Sequence, residues 1–174
     1  EKADTRSSVA HTVFTTQCYC YHWTSPLQDS LAPLLKGYQI GLESGETDRG
    51  CWCLNGRSYH LYFIGRPLDS IQKEFEATIP VLTQLKQDDT KLKIAVILAT
   101  VKKLRGIDAG AADEILDSAL TTAASGGIVA LSATVNAFKL EIFVFFQEWR
   151  EALDLVQKAG NVRLTLVCLY SSVR

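Results

Sequence analysis

Apolar residues recur at three- and four-residue steps along almost the whole chain. Leu27, Leu31, Leu34, Leu35, Tyr38 and Leu42 form one set, and Leu68, Ile71, Phe75, Ile79, Leu82 and Leu85 another. Ile94, Ile97, Leu98, Val101 and Leu104 follow, then Val129, Ala133, Ala137, Leu140, Phe143 and Val144, then Trp149, Ala152, Leu153 and Val156. Each set draws one apolar stripe on a helix of 3.6 residues per turn. No segment keeps a two-residue alternation, so the pattern predicts an all-α protein. The expected helices lie near 6–22, 27–44, 48–64, 68–86, 89–105, 111–124, 128–147, 149–159 and 161–173. The stripe is weakest at 111–124, where Ala, Thr and Ser dilute it.

Turn chemistry punctuates the same map. Ser25-Pro26-Leu27-Gln28 reads as a capping serine, a proline at the first helical position and a capping-box glutamine. Arg66-Pro67 is expected to start a helix in the same way, and Asp88-Asp89-Thr90 offers caps to the next. Gly45, Gly65, Gly106 and Gly160 each follow a stripe, where a left-handed C-terminal cap favours glycine. Asn161 can cap a last helix. Pro33 and Pro80 fall inside expected helices, where each should bend or restart the helix.

A repeat underlies these signals. Pro26-Leu27 recurs as Pro67-Leu68, a period of about 41 residues, and two further periods reach Asp108 and Trp149. Evenly spaced starts of paired helices predict a right-handed α-solenoid of about four antiparallel helix pairs, with the first helix of each pair lining a concave face. Trp52, Gly56 and Tyr59 are spaced as in the first helix of a tetratricopeptide repeat, and Trp149, Ala152, Val156 and Ala159 suit its second helix. The chain thus resembles the tetratricopeptide class. It departs from it in its longer unit, in a third unit without aromatics, and in Gln147 where a glycine is expected before Trp149.

A second resemblance covers about residues 18–105. Tyr21-His22-Trp23, the run from Leu34 to Glu46, Tyr59-His60-Leu61-Tyr62-Phe63-Ile64-Gly65-Arg66-Pro67-Leu68 and Gln84-Leu85-Lys86-Gln87 are similar to a segment of large multidomain signalling ATPases. In those proteins a serine/threonine-kinase-like domain and an AAA-type ATPase precede a tetratricopeptide-like helical region, and a GAF sensor, often with a histidine kinase, follows it. The resemblance implies the helical region alone. The chain carries no Walker loop, kinase catalytic loop or phosphoacceptor motif, so none of those activities comes with it.

Composition adds a frame. The 174 residues suffice for one core, and 18 basic against 19 acidic residues give a charge of −1. That balance disfavours a nucleic-acid binder acting through bulk positive charge. There is no methionine, the chain opens on Glu1-Lys2, and an apolar pattern runs from Leu164 to Tyr170. One helical-repeat domain over 1–174, a fragment of or processed from a longer chain, is therefore expected. No targeting segment is visible. The uncharged run Ser118–Phe138 is long enough to test as a membrane span, but Gly126-Gly127, Asn136 and its Ser and Thr argue against one.

Candidate chemistry is sparse. Five cysteines, an odd number, come as Cys18-Tyr19-Cys20, Cys51-Trp52-Cys53 and Cys168, in a chain with His11, His22 and His60. They read as reduced thiols of an intracellular, cytoplasmic protein. Zinc would need both thiolates of a pair on one side, whereas residues i and i+2 of a helix point about 200° apart. Buried packing is the expected role. No spacing pairs a cysteine with a histidine base. Gly126-Gly127 lacks the lysine of a phosphate loop. Lys86, Lys91, Lys93, Lys102, Lys103 and Arg105 lack interleaved aromatics and read as an outer helix face.

The expected function is thus non-catalytic, without metal or cofactor. It is a scaffold or relay that holds a protein partner, or packs adjacent domains of a larger signalling ATPase or kinase. Carrying the tetratricopeptide pattern onto Trp52–Tyr59 places Arg57 and His60 toward the groove, and one period back adds Thr16 and Tyr19. The alternative is an all-α accessory subunit of a larger assembly.

Overall fold

A computed structural model describes residues 7–159, and every described element is helical. The α-helices are α1 (Ser7–Thr15), α2 (Leu31–Glu43), α3 (Thr47–Phe63), α4 (Leu68–Gln84), α5 (Asp88–Leu104), α6 (Ala109–Ser125), α7 (Val129–Phe145) and α8 (Trp149–Ala159). A π-helical turn at Thr16–Cys20 and 3₁₀ turns at Tyr21–Trp23 and Leu27–Ser30 lead from α1 to α2. The helix expected over 6–22 therefore changes type at Thr16. The one expected over 27–44 opens with a 3₁₀ turn, which puts Pro33 in the first turn of α2, where a missing N–H costs nothing. Helix α4 continues through Pro80. The expected helix at 161–173, the caps at Gly160 and Asn161, and Cys168 lie outside the described residues.

The two proline starts differ from the expected capping box. Pro26 and Pro67 are themselves the residues before the first helical position, with φ/ψ of −56/137 and −52/127, and no side chain caps either start. Proline's locked φ leaves the chain extended there, and its carbonyl becomes the first acceptor: Ser70 and Ile71 both donate to Pro67 O, at 3.0 and 3.2 Å.

Helices α3 to α7 each have 17 residues. The turns that follow α2 to α7 carry one left-handed residue apiece, at Gly45, Gly65, Lys86, Gly106, Gly127 and Gln147, with Asp108 as a second in its turn. Gly45, Lys86 and Gly127 are evenly spaced, as are Gly65, Gly106 and Gln147, and the interval in both sets is the one that separates Pro26 from Pro67. In the last four turns the next N–H reaches back five residues, from Gln87 to Leu82 O, Ile107 to Lys102 O, Ile128 to Ala123 O and Glu148 to Phe143 O. These bonds satisfy carbonyls that the helix end would leave open.

The chain groups into two compact units whose boundary falls within α5, between Ile94 and Ala95. In the first, α1 packs on α2 and α3, and α2 on α3. Its interior joins Leu34, Leu61, Ile71, Phe75 and Leu82 to an unusual number of small residues: Ala10, Gly37, Gly41, Gly50, Cys51, Cys53 and Gly56. In the second, α6 packs on α7 and α7 on α8. There Ala112, Leu116, Ala119 and Ala123 form the buried stripe of α6, against Leu131, Val135, Phe138 and Ile142 of α7. The Ala and Ser content of 111–124 thus marks a narrow helix, not an absent one.

No described helix is long and apolar enough to cross a membrane. The run 118–138 is split by the turn at Gly126-Gly127 between α6 and α7. The basic stretch is neutralised locally: Lys91 pairs with Asp88, Lys93 with Asp89 and Lys103 with Asp113.

Candidate functional site

The residues singled out from the sequence all lie in the first unit, in two different environments. Thr16 and Tyr19 sit on the π-helical turn, and Arg57 and His60 on α3. Thr16 is half-buried and donates its hydroxyl hydrogen to Thr12 O at 2.5 Å, so it closes the end of α1. Tyr19 is exposed. The Arg57 guanidinium is half-buried in an ion pair with Glu74 of α4, and its Nε has no partner. His60 is a core residue.

His60 is 7% exposed, and its Nδ1 lies 2.5 Å from the Ser30 hydroxyl oxygen. Ser30 Oγ also lies 2.6 Å from Leu27 O. One hydroxyl hydrogen cannot serve both, so with it on Leu27 O the imidazole donates from Nδ1 to Ser30. The link ties the 3₁₀ turn at Leu27–Ser30 to the last turn of α3. Burial first, and His22 second, push the His60 pKa down to about 4. His22 itself is lowered by burial, partly offset by its bond to the Cys18 backbone. Both rings are therefore neutral at neutral pH, and the substitution His60→Glu would bury a charge in place of a neutral ring. Such a His60 variant reports folding instead of recognition.

The cysteines behave as packing residues. Cys18, Cys51 and Cys53 are buried and Cys20 is exposed. Cys18 and Cys53 share a small core with Leu34, against which Val13, Phe14 and Tyr38 pack. A Cβ on Gly56 would lie 2.5 Å from Cys18 Sγ, and one on Gly37 2.7 Å from Cys53 Sγ, so each sulfur fills the space of a missing side chain. Desolvation pushes the Cys18 thiol up to about 12 and those of Cys51 and Cys53 up to about 11. Such thiols are poor nucleophiles at neutral pH. In a Cys168→Ser background we expect Cys20 to react with a disulfide reagent within minutes at neutral pH, and the other three only after denaturant is added. A second rapid thiol would overturn the assignment. Among the described residues no group of three or more His, Cys, Asp or Glu could hold a metal ion.

What the surface offers instead is aromatic. Trp52 on α3 and Tyr19 on the π turn, each 38% exposed, flank Phe14 of α1. Ring centroids are 5.7 Å apart for Phe14–Tyr19, 6.0 Å for Phe14–Trp52 and 5.9 Å for His11–Trp52. The four rings make one continuous run across three elements. Tyr21 and Trp23 are also exposed, the latter against His22 at 5.0 Å. The motif Trp52, Gly56 and Tyr59 is divided accordingly: Trp52 faces out, Gly56 lies under Cys18, and Tyr59 is buried and stacked on Phe63. The carrying signal was present in the sequence as Trp52 and Tyr19. Its partners His11 and Phe14 were hidden, because α1 shows no stripe without knowledge of its neighbours. Comparison of the chain with protein-family models, curated proteins and solved structures returns no match in any of the three.

Proposed function

We propose that this chain is a non-catalytic protein–protein interaction module, a tetratricopeptide-like, right-handed α-solenoid of antiparallel helix pairs with a period of about 41 residues. In this reading it serves as a relay or packing region of a larger cytoplasmic signal-transduction ATPase or kinase, and its partner is a protein or an adjacent domain. The even spacing of the left-handed turn residues supports the repeat. The observation that carries the function is the exposed aromatic run His11–Trp52–Phe14–Tyr19. Rigid, partly exposed Trp and Tyr side chains supply large contact area at low entropic cost, and they dominate protein interfaces. The neutral, buried histidine and the three high-pKa thiols support a role without nucleophilic catalysis.

The test is capture of partners from the source extract by the full chain, with bound proteins identified by mass spectrometry. Tyr19→Ser with Trp52→Ser should lose at least tenfold of a captured protein while the chain stays folded, with helicity retained. The same protein captured equally by the double variant would overturn the aromatic surface as the site. Arg57→Glu, which breaks the pair with Glu74, serves as the control for a change elsewhere on α3.

A further inference from the structure

The second unit carries an apolar face that no described element covers. Trp149, Leu153 and Val156 of α8 are 61%, 58% and 44% exposed, and Val144, Phe145 and Phe146, at and just after the end of α7, are exposed as well. At 100° per residue, Trp149, Leu153 and Val156 fall within one narrow sector of α8. Ala152, buried, is displaced from that sector to one side, and Arg150, Asp154 and Gln157 to the other. Helix α8 thus seats Ala152 in its own unit and turns its large side chains Trp149, Leu153 and Val156 outward. Six partly exposed large side chains on two adjoining segments are more than scattered surface hydrophobes would give.

We infer that this face is the seat of a second copy of the chain, with the two α8 helices antiparallel about a two-fold axis near Leu153. One feature of the patch favours that occupant, its self-complementarity. Antiparallel pairing about Leu153 sets Leu153 on its counterpart and Trp149 on Val156 of the other copy, a large residue opposite a small one. It also brings Arg150 of each copy alongside Asp154 and Gln157 of the other, so the polar flank carries opposite charges across the axis. In a parallel pair the two flanks that carry Arg150 and Asp154 would lie on opposite sides of the seam, without that pairing. An isologous contact of this kind closes at two copies.

The test is the solution mass of the full chain by light scattering and sedimentation, from micromolar to ~100 µM. The expected result is a species of twice the 19.2-kDa chain mass. Leu153→Asp, which sets two carboxylates against each other at the axis, should return it to monomer. Arg150→Asp should weaken the dimer at least tenfold, and Arg150→Asp with Asp154→Arg should restore it. All these positions are exposed, and unchanged circular dichroism checks the fold. A monomer at every concentration would overturn the proposal. In a Trp23→Phe, Trp52→Phe background, a blue-shifted Trp149 emission without concentration dependence would then show that residues 160–174 cover the face. A dimer unaffected by Leu153→Asp would also overturn it.

Discussion

Gly41→Ala should lower the stability of the first unit by about 3 kcal/mol, although alanine is the better helix former by about 1 kcal/mol. A Cβ on Gly41 would stand 2.5 Å from Gly50 Cα and 2.7 Å from Gly50 N. Both obstacles are backbone, so no rotamer change relieves the clash, and α2 and α3 must move apart. That separation would loosen the Cys53–Leu34 packing alongside it. Two controls give the result its meaning. Gly56→Ala meets only the Cys18 sulfur at close range, a side-chain atom that can rotate, and should cost less. Gly110→Ala in α6 meets nothing within 4 Å and should be neutral or slightly stabilising. Urea unfolding followed by circular dichroism reads all three. An unchanged midpoint for Gly41→Ala would mean that α2 and α3 do not approach through their glycines.

The second large effect is on pH. His60 has a folded pKa of about 4 against 6.5 for an exposed histidine, because burial penalises the imidazolium. Between those values the unfolded chain binds a proton that the folded chain does not, so stability rises with pH through this window. The contribution is complete above about pH 6.5 and falls by roughly 3 kcal/mol as the pH drops to about 4. His22 is lowered for the same reason and adds in the same direction. In His60→Gln the slope between pH 6.5 and 4 should flatten to what His22 and the carboxylates leave. If wild type and His60→Gln lose stability in parallel, His60 is not buried as a neutral base. Ser30→Ala should weaken the tie between the 3₁₀ turn and α3 by about 1 kcal/mol at pH 7 without removing the slope.

Much of the helical map was legible because a stripe and a left-handed glycine are local signals. Gly45, Gly65 and Gly106 stand where the sequence asks for a C-terminal cap, and each has positive φ. Lys86 and Gln147 adopt the same conformation without glycine's signature, and only their spacing from the other turns betrays them. The proline starts misled in detail: Ser25 and Pro26 have the residue types of a capping box, yet the chain stays extended at Pro26 and no side-chain cap forms. The π turn at Thr16–Cys20 had no local signal at all. The site fared unevenly for the same reason. Arg57 and His60 follow from a helix-face register, but whether a face meets solvent or another helix depends on which elements pack there. Glu74 of α4 takes the first and Ser30 the second.

The sequence by itself determined that the chain is helical, where most helices begin and end, and that its turns recur at a fixed interval. Those properties depend on hydrogen bonding between near neighbours in the chain and on the φ preferences of Gly and Pro. Only the tertiary structure decided that the paired cysteines fill the hollows beside Gly37 and Gly56, that His60 is a core base, and that Trp52 and Tyr19 belong to one aromatic run. Each of these rests on residues brought together from distant parts of the chain: Cys53 against Ala10 and Gly37, Ser30 against His60, Phe14 between Tyr19 and Trp52. Burial is a property of the neighbour as much as of the residue, and a one-dimensional pattern does not name the neighbour.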